Sequence, residues 1–427
     1  MTEPVKTCVI VGLGYIGLPT AVMLAQHGVQ VHGVDINESI VGRVREGVCT
    51  IVEPGLPELL KDVVERRMLS ASTTPRAGDV FVIAVPTPFE GGYKPSLAYV
   101  KAATHSIAPS LKKGNLVILE STVPVGATEQ VSHWLAAARP DLSFSHRTDA
   151  SDQTPDILIA HCPERVLPGN MLVELVGNDR IIGGRCPASG KAARDFYKTF
   201  VKGECIITDA RTAELAKLTE NAYRDVNIAF ANELAAICGE RGINVWELIQ
   251  LSNRHPRVNI LQPGPGVGGH CIAVDPWFIV STFGDKARLI REARWINSGR
   301  PRQVVAEILS KVEAGAIKSI ACFGLAYKPN IDDLRESPAI EVVEKLSEEL
   351  SLRYPDVSLC AIEPFADELP RELANRDVAL VDIEAGLAAD LIVLLVDHTQ
   401  FRDVPHERIA TKQLVDTRGI WSRERTQ

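Results

Sequence analysis

The sequence predicts an α/β chain of two doubly wound parallel-sheet domains joined by a long central helix in a helical middle domain. Three observations carry that expectation. Short valine- and isoleucine-rich runs alternate with helical stretches near the N-terminus, and the same alternation returns from residue 317 onward. Between them lies a long proline-free segment with apolar residues at helical spacing. The expected domains are 1–205, 206–314 and 315–427.

In the first domain, "TCVIVG", "VQVHGVD", "VFVIAVP" and "LVILEST" are brief apolar runs ended by turn or polar residues, as buried parallel strands are. "DILIAHCP" and "DRIIGG" extend the sheet to residue 205. In the middle, the segment 212–242 sets Leu215, Leu218, Ala222, Val226, Ala229, Phe230 and Ile237 at helical spacing, with Gly242 as its stop. A second helical stretch covers 285–313. In the last domain, "IKSIACFGLAYKP", "VSLCAIEP", "DLIVLLVDH" and "QLVDTRG" restore the strand pattern. "VQVHGVDIN" and "VSLCAIEPF" both end a strand in an acid, and "GDVFVIAVPTP" is echoed by "ADLIVLLVDHT". The last domain therefore reads as a second dinucleotide-type domain without the glycine fingerprint. A long helix between two such halves is a frequent dimer surface, so a homodimer is expected.

Composition narrows the class. With 427 residues, 45% hydrophobic and 23% charged, the chain has ordinary globular character. A net charge of −8 argues against nucleic acid as a partner. No apolar run approaches a membrane span, since "LIVLLV" is bracketed by Asp390 and Asp397. The opening "MTEPVKTCVIVG" lacks a signal-peptide pattern. Nine cysteines without CxxC or zinc-type spacing imply no metal site and a reduced, cytoplasmic protein. Cys8, Cys322 and Cys360 read as small apolar strand residues.

"CVIVGLGYIGLPTA" carries Gly12, Gly14 and Gly17 in GxGxxG spacing around Tyr15 and Ile16, after a strand and opening a helix. The first glycine permits a tight turn, the second lets backbone approach a pyrophosphate, and the third allows close helix–strand packing. The helix N-terminus offers N–H groups and positive dipole to the phosphates. Asp35 ends the second strand where an acid would bind a ribose 2′-hydroxyl. No basic residue follows in "DINES", which favours NAD over NADP. Thr87 in "VPTP" and Thr122 in "EST" stand where a nicotinamide could lie, though ordinary strand ends also carry such threonines.

"GPGVGGHCIAVD" (264–275) ends a glycine-rich run in Cys271, with His270 before it and Asp275 four residues on. On the middle helix Lys217, Asn221 and Arg224 share one face, either a solvated polar stripe or part of a site. Glu164 and Arg165 follow a strand in "AHCPERVLPGN", and Arg254, His255 and Arg257 lie just upstream of the cysteine loop. Arginines among glycines suit a diphosphate.

The blocks GxGYIGLPTA, VPTP, EST with PVG, CPERVLPG, ELxKLTENxxRDVNIAFANE, GPGVGGHCIAVDP and GLAYKPNIDDLRESPA resemble the nucleotide-sugar 6-dehydrogenase family in order along nearly the whole chain. The resemblance implies two Rossmann-like domains and two NAD-dependent oxidations of a sugar C6 alcohol without release of the aldehyde. It implies Cys271 as nucleophile, Lys217 and Asn221 as stabilisers of the developing alkoxide, Glu164 as base for the hydrolytic water, and Asp275 as an orienting or relay group. In this picture the glycines let backbone crowd the substrate while Cys271 points at its C6. The UDP-sugar would meet Arg165, Val166, Arg224, His255, Arg257, Gly268, Tyr327, Lys328 and Arg418, and Arg335 would reach NAD. Glucose-type members carry a second glutamate where this chain has Pro168, and a lysine where it has Val274. Those departures point away from UDP-glucose to a UDP-linked 2-acetamido sugar; the resemblance implies N-acetylmannosamine first, with UDP-N-acetylglucosamine or UDP-glucose as alternatives. A two-electron hydroxyacid dehydrogenase, or an NAD-binding protein without activity, remains a rival that would not need Cys271. A place in surface-polysaccharide synthesis is implied by the resemblance alone.

Overall fold

The computed structural model describes residues 5–145, 154–166, 169–269, 271–315 and 317–422. Pro168 and His270 lie outside the described residues. The chain forms two compact units, residues 1–220 with 281–283, and residues 221–280 with 284–427.

The first unit is built on strands β1 (Thr7–Val11), β2 (Gln30–Val34), β3 (Leu69–Ser72), β4 (Val80–Ile83), a small hairpin β5 (Phe89–Glu90) and β6 (Lys94–Pro95), β7 (Leu116–Leu119), β8 (Leu158–His161), β9 (Arg180–Gly184) and β10 (Cys205–Asp209). The main sheet runs β10-β9-β8-β7-β4-β1-β2-β3. Each face is covered, which is why its central strands are apolar throughout. Val9, Phe81, Val117 and Ile159 pack with Val100, Ile107 and Val131 in one cluster. Cys8, Ile10, Val82 and Ile118 pack with Leu18, Leu24 and Leu60 in another.

Two strands of this main sheet were not expected and one has an unexpected direction. β3 is "LSAS", with no apolar run; His32 on β2 reaches Ser70 and Ser72 across the pair at 2.8 and 2.7 Å. β10 is an edge strand that leaves Ile206 and Ile207 exposed. "DRIIGG" does join the sheet as β9, but antiparallel to β8. The helix between them, Met171–Gly177, has seven residues, a rise of about 10 Å. The chain therefore re-enters the sheet at the end where β8 left it, instead of crossing over.

The long helix spans Ala210–Arg241, 32 residues, and the boundary between the units falls inside it. Leu218, Ala222 and Ala229 are buried as the spacing predicts. Leu215, Phe230 and Ile237 from the same expected stripe are instead exposed, as is Tyr223.

The second unit holds a parallel sheet of β11 (Ser319–Phe323), β12 (Ser358–Ile362), β13 (Ala379–Leu380), β14 (Leu391–Leu394) and β15 (Gln413–Asp416), ordered β13-β12-β11-β14-β15. This is the arrangement of the first five parallel strands of a doubly wound domain, as the echoed strand ends suggested. A helix at Arg288–Ala314, bearing Pro301, and one at Pro338–Arg353 supply its core. No helix among the described residues is long and apolar enough to cross a membrane.

His161 closes β8 with its ring wholly buried and both ring nitrogens unpaired. Burial pushes its pKa down to about 3, against a small opposing pull from the Leu119 backbone. The unfolded chain therefore binds a proton below the ordinary histidine pKa of about 6.5 that the folded chain refuses until about 3. Its contribution to stability is present above about pH 6.5 and lost as pH falls towards 3. The urea midpoint of wild type should therefore fall relative to that of His161→Leu as pH drops from about 7 to 4.5. A stability difference independent of pH would contradict the buried neutral ring.

Candidate active site

The first sheet changes winding direction between β1 and β4, and the loops at the carboxyl ends of these strands form the crevice where such folds bind ligands. Gly12, at φ +99°, has backbone crowding its Cα: a Cβ there would stand 2.3 Å from the Ala84 carbonyl oxygen. A Cβ on Gly17 would stand 1.9 Å from the Gly12 carbonyl oxygen, so the helix Gly17–Gln26 can approach the turn only without one. Gly14 is different, with nothing within 4 Å of its Cβ position, and it is exposed together with Tyr15. Ile16 is half-buried ahead of the helix. Two glycines close the turn and the third leaves an open face, as a dinucleotide pyrophosphate requires. NAD fits this cradle.

Asp35 accepts the Leu13 N–H on Oδ2 and the Asn37 N–H on Oδ1, both at 2.9 Å, while remaining half-buried beside the turn. Thr87 and Thr122 meet: Thr87 Oγ1 donates to the Thr122 carbonyl at 2.7 Å. The Thr122 loop is tied down from the long helix, where Glu214 accepts the N–H groups of Gly126 (2.6 Å) and Thr128 (2.8 Å).

Glu164 lies in the loop after β8, 9% exposed. Its Oε1 accepts the Arg165 N–H at 2.7 Å, and its Oε2 takes Nη2 of Arg180 at 2.8 Å. Arg180 also reaches Oε1 of Glu120 at 3.4 Å, and Tyr197 donates to the same oxygen at 3.1 Å. Burial above all pushes the Glu120 carboxyl up to about 7, with Glu164 adding to the rise and Arg180, Tyr197 and Thr20 opposing it. Burial works against the Arg180 charge, but Glu164, Tyr197 and Glu120 outweigh it and hold the guanidinium protonated. Arg165 forks onto Glu220 at 2.8 and 3.1 Å, and Val166 packs against the core. Lys217 is buried on the long helix in this unit.

In the second unit, Asn221 donates Nδ2 to Oδ2 of the buried Asp275 at 2.5 Å. Cys271 is the one exposed cysteine of the nine, none of which is in a disulfide. Its carbonyl accepts the N–H groups of Val274 (3.1 Å) and Asp275 (2.9 Å), turning the chain into the helix Asp275–Phe283. Cys8 and Cys322 are buried as expected, whereas Cys360 is half-buried. The loop base is pinned by a buried polar chain. Asn232 accepts the Gly264 N–H (2.9 Å) and donates to Asn297, which donates to Asp225 (2.8 Å); Arg294 closes on Asp225 at 2.6 Å. Arg300 Nε holds the Gly264 carbonyl at 3.2 Å.

The glycines after Gly264 have a packing role that the spacing did not reveal. A Cβ on Gly268 would stand 2.5 Å from the Glu336 carbonyl oxygen and 3.1 Å from Tyr327 Cβ. Gly269, at φ +81°, faces the Tyr327 ring. Tyr327 and the cysteine loop thus lie against one another. Lys328 is exposed beside them, and Arg418, paired with Asp397 at 2.8 Å, has Nη1 beside Gly264. Arg335 forks onto Asp333 at 2.6 and 2.8 Å within its own loop. Arg224, Arg254, His255 and Arg257 are exposed, with His255 Nδ1 accepting the Arg257 N–H at 3.3 Å. No cluster of metal-ligating side chains occurs among the described residues.

Glu363, the acid ending β12, answers to Asp35 in position but not in exposure. It is buried and accepts the N–H groups of Leu325, Ala326 and Phe365, with His398 as a fourth partner. It is a loop clamp with no face left for a ribose.

Comparison with known proteins divides the chain into three parts. The NAD binding domain of the UDP-glucose/GDP-mannose dehydrogenase family matches residues 6–201, its central domain 211–299 and its UDP binding domain 321–423. The chain belongs to the UDP-glucose/GDP-mannose dehydrogenase family. Its cofactor is NAD, and it is an oxidoreductase acting on nucleotide sugars. An NDP-N-acetyl-D-galactosaminuronic acid dehydrogenase of Ralstonia nicotianae is 55% identical over 98% of this chain and 97% of its own. A UDP-N-acetyl-D-mannosamine dehydrogenase of Salmonella typhi is 54% identical over 97% and 99%. Among solved structures, a UDP-N-acetyl-mannosamine dehydrogenase of Staphylococcus aureus is 43% identical, with TM-score 0.81 over 97% of this chain and 95% of that one.

The fingerprint glycines separate folding from cofactor binding. Gly17→Ala must push backbone aside and should lower the melting temperature by several degrees, about 2 kcal/mol or more of lost stability. Gly14→Ala should melt like wild type yet bind NAD at least about tenfold more weakly by calorimetry. Unchanged NAD affinity in Gly14→Ala would displace the pyrophosphate from this turn.

Proposed function

We propose that this chain oxidises the C6 alcohol of UDP-N-acetyl-D-mannosamine to the carboxylate of UDP-N-acetyl-D-mannosaminuronate in two NAD-dependent steps. The observation that carries the reading is the exposed Cys271 thiol, standing on a loop that buried hydrogen bonds hold in place. NAD, bound at the Gly12–Gly17 turn, supplies the hydride acceptor for each oxidation. Lys217 and Asn221, one turn apart on the long helix, steady the alkoxide as the alcohol loses its proton. The Cys271 thiolate adds to the C6 aldehyde to give a thiohemiacetal, whose oxidation leaves a thioester. Glu164 takes a proton from the water that attacks the thioester carbonyl, and the thiolate of Cys271 leaves as the acid forms. Asp275, hydrogen-bonded to Asn221, orients that amide.

For the substrate, Tyr327, Lys328 and Arg418 of the last domain, with Arg165, Val166, Arg224, His255, Arg257 and Gly268, form the UDP-sugar contacts in this reading. Gly268 contributes through its backbone, since protein fills the space beside its Cα. Thr87, Thr122 and Arg335 attend the nicotinamide cofactor. The domain limits of 205 and 314 belong to the same reading. A second copy of the chain would cover the exposed Tyr223, Phe230 and Ile237, seven residues apart on the long helix, making a homodimer. A cytoplasmic setting would keep Cys271 reduced.

A second substrate reading has its own support, because the Ralstonia relative carries a galactosaminuronic acid name at 55% identity. Initial rates with UDP-N-acetylmannosamine, UDP-N-acetylgalactosamine, UDP-N-acetylglucosamine and UDP-glucose decide between them; a kcat/KM at least about a hundredfold higher on the first is expected. Cys271→Ser should lose at least about a thousandfold in net acid production. Acid formed at the wild-type rate by that variant would remove the covalent route.

A further inference from the structure

We propose that Arg180 and Glu120 are positioning residues for Glu164, one guanidinium being shared between two buried carboxylates so that the ionisation of Glu120 sets the grip on the hydrolytic base. The proposal rests on the reading of Glu164 as that base. Three residues from three separate segments converge here: Glu120 after β7, Glu164 after β8, and Arg180 opening β9, at 1%, 9% and 5% exposure. Both oxygens of Glu164 are engaged, one by its neighbour's N–H at 2.7 Å and one by Arg180 at 2.8 Å, so its orientation is fixed. Arg180 is itself clamped, its guanidinium 4.5 Å from the centre of the Tyr197 ring. Its Nε has no hydrogen-bond partner, and its two terminal nitrogens go one to each carboxylate.

With both acids ionised the cluster carries one excess negative charge in a buried setting; with one protonated it is neutral. The other titratable groups facing Glu120 are Tyr197, Cys8 and Cys162, and burial holds all three protonated far above neutrality. Glu120 is therefore the group that changes state, and its carboxyl sits at about 7. Below that pH, neutral Glu120 leaves Arg180 wholly to Glu164 and withdraws its capacity to accept a proton. Above it, the guanidinium is divided and Glu164 works as a base. Pro168 stands where the family resemblance leads one to expect a second glutamate, and Glu120 is a second carboxyl reached by another route.

The test is the ratio of wild-type to Glu120→Gln kcat on UDP-N-acetylmannosamine, taken across about pH 5.5 to 9 in the full-length enzyme. Glutamine keeps the shape and the Tyr197 hydrogen bond but cannot ionise. The ratio should stay near one below about pH 6 and rise about tenfold above pH 8, with KM unchanged within about twofold. A ratio independent of pH would overturn the proposal, since a structural defect lowers activity at every pH. Glu164→Gln separates the two claims. If it keeps wild-type kcat, the base assignment and this proposal both fall; if it is impaired while the ratio is flat, only this proposal falls. Should Glu120→Gln not fold, Tyr197→Phe carries the test, because losing a donor to the carboxylate must move the wild-type inflection to higher pH. An unmoved inflection would count against the coupling.

Discussion

The loops that carry the site residues contain more backbone N–H groups than they can satisfy themselves, and side-chain acceptors, most of them buried, take up the difference. A buried N–H without a partner costs about 1–3 kcal/mol, so a loop of this kind holds its shape only where acceptors are built in. Asp35 supplies one for the fingerprint turn and Glu214 two for the Thr122 loop. Glu53 accepts the N–H groups of Gly169 and Met171 beyond the Glu164 loop. Glu363 does the same for the loop bearing Tyr327, and Asn232 for the base of the cysteine loop. Remove these acceptors and the strands would still pair, but the side chains at their ends would have no fixed address.

The same economy explains the polar residues on the long helices of the second unit. Asp225, Asn232, Arg294 and Asn297 are buried on helices whose other inward positions are mostly apolar. Burial pushes the Asp225 carboxyl up while Arg294 and Asn297 hold it down. Such a chain is a costly way to join two helices. Its outlet at Gly264 shows what it serves: the glycine-rich run starts from a fixed point, and the exposed thiol seven residues later is presented from it. Glycine then has two tasks along one chain. At Gly14 it leaves room for a ligand, and at Gly268 and Gly269 it lets the Tyr327 loop close against the cysteine loop.

Much of this was legible in the residues. Apolar runs ended by polar residues marked the central strands, because strands buried on both faces have no polar face to conceal them. Two edge strands of the first sheet escaped notice for the converse reason: "LSAS" buries mainly small or polar side chains, and "CIITD" leaves its isoleucines exposed. The direction of β9 depends on a short helix that periodicity cannot size. The apolar spacing of the long helix was real, but spacing alone does not say which side is covered, and Phe230 and Ile237 are exposed. Among the site residues, Gly12, Gly17 and Asp35 announced their tasks because fixed local geometry demands those residue types. Glu120, Arg180 and Asn232 did not. Each is a polar residue in or beside an apolar run, a visible oddity, yet its partner lies tens of residues away and is named only by the fold.

The account stands on one claim, that a single loop thiol carries a sugar through two oxidations without releasing the aldehyde. The most direct measurement is the NADH formed per molecule of limiting UDP-N-acetylmannosamine, followed to completion. The account predicts about two NADH per sugar, with uronate as the sole sugar product. About one NADH per sugar, with free aldehyde accumulating, would contradict it and leave Cys271 without a chemical role.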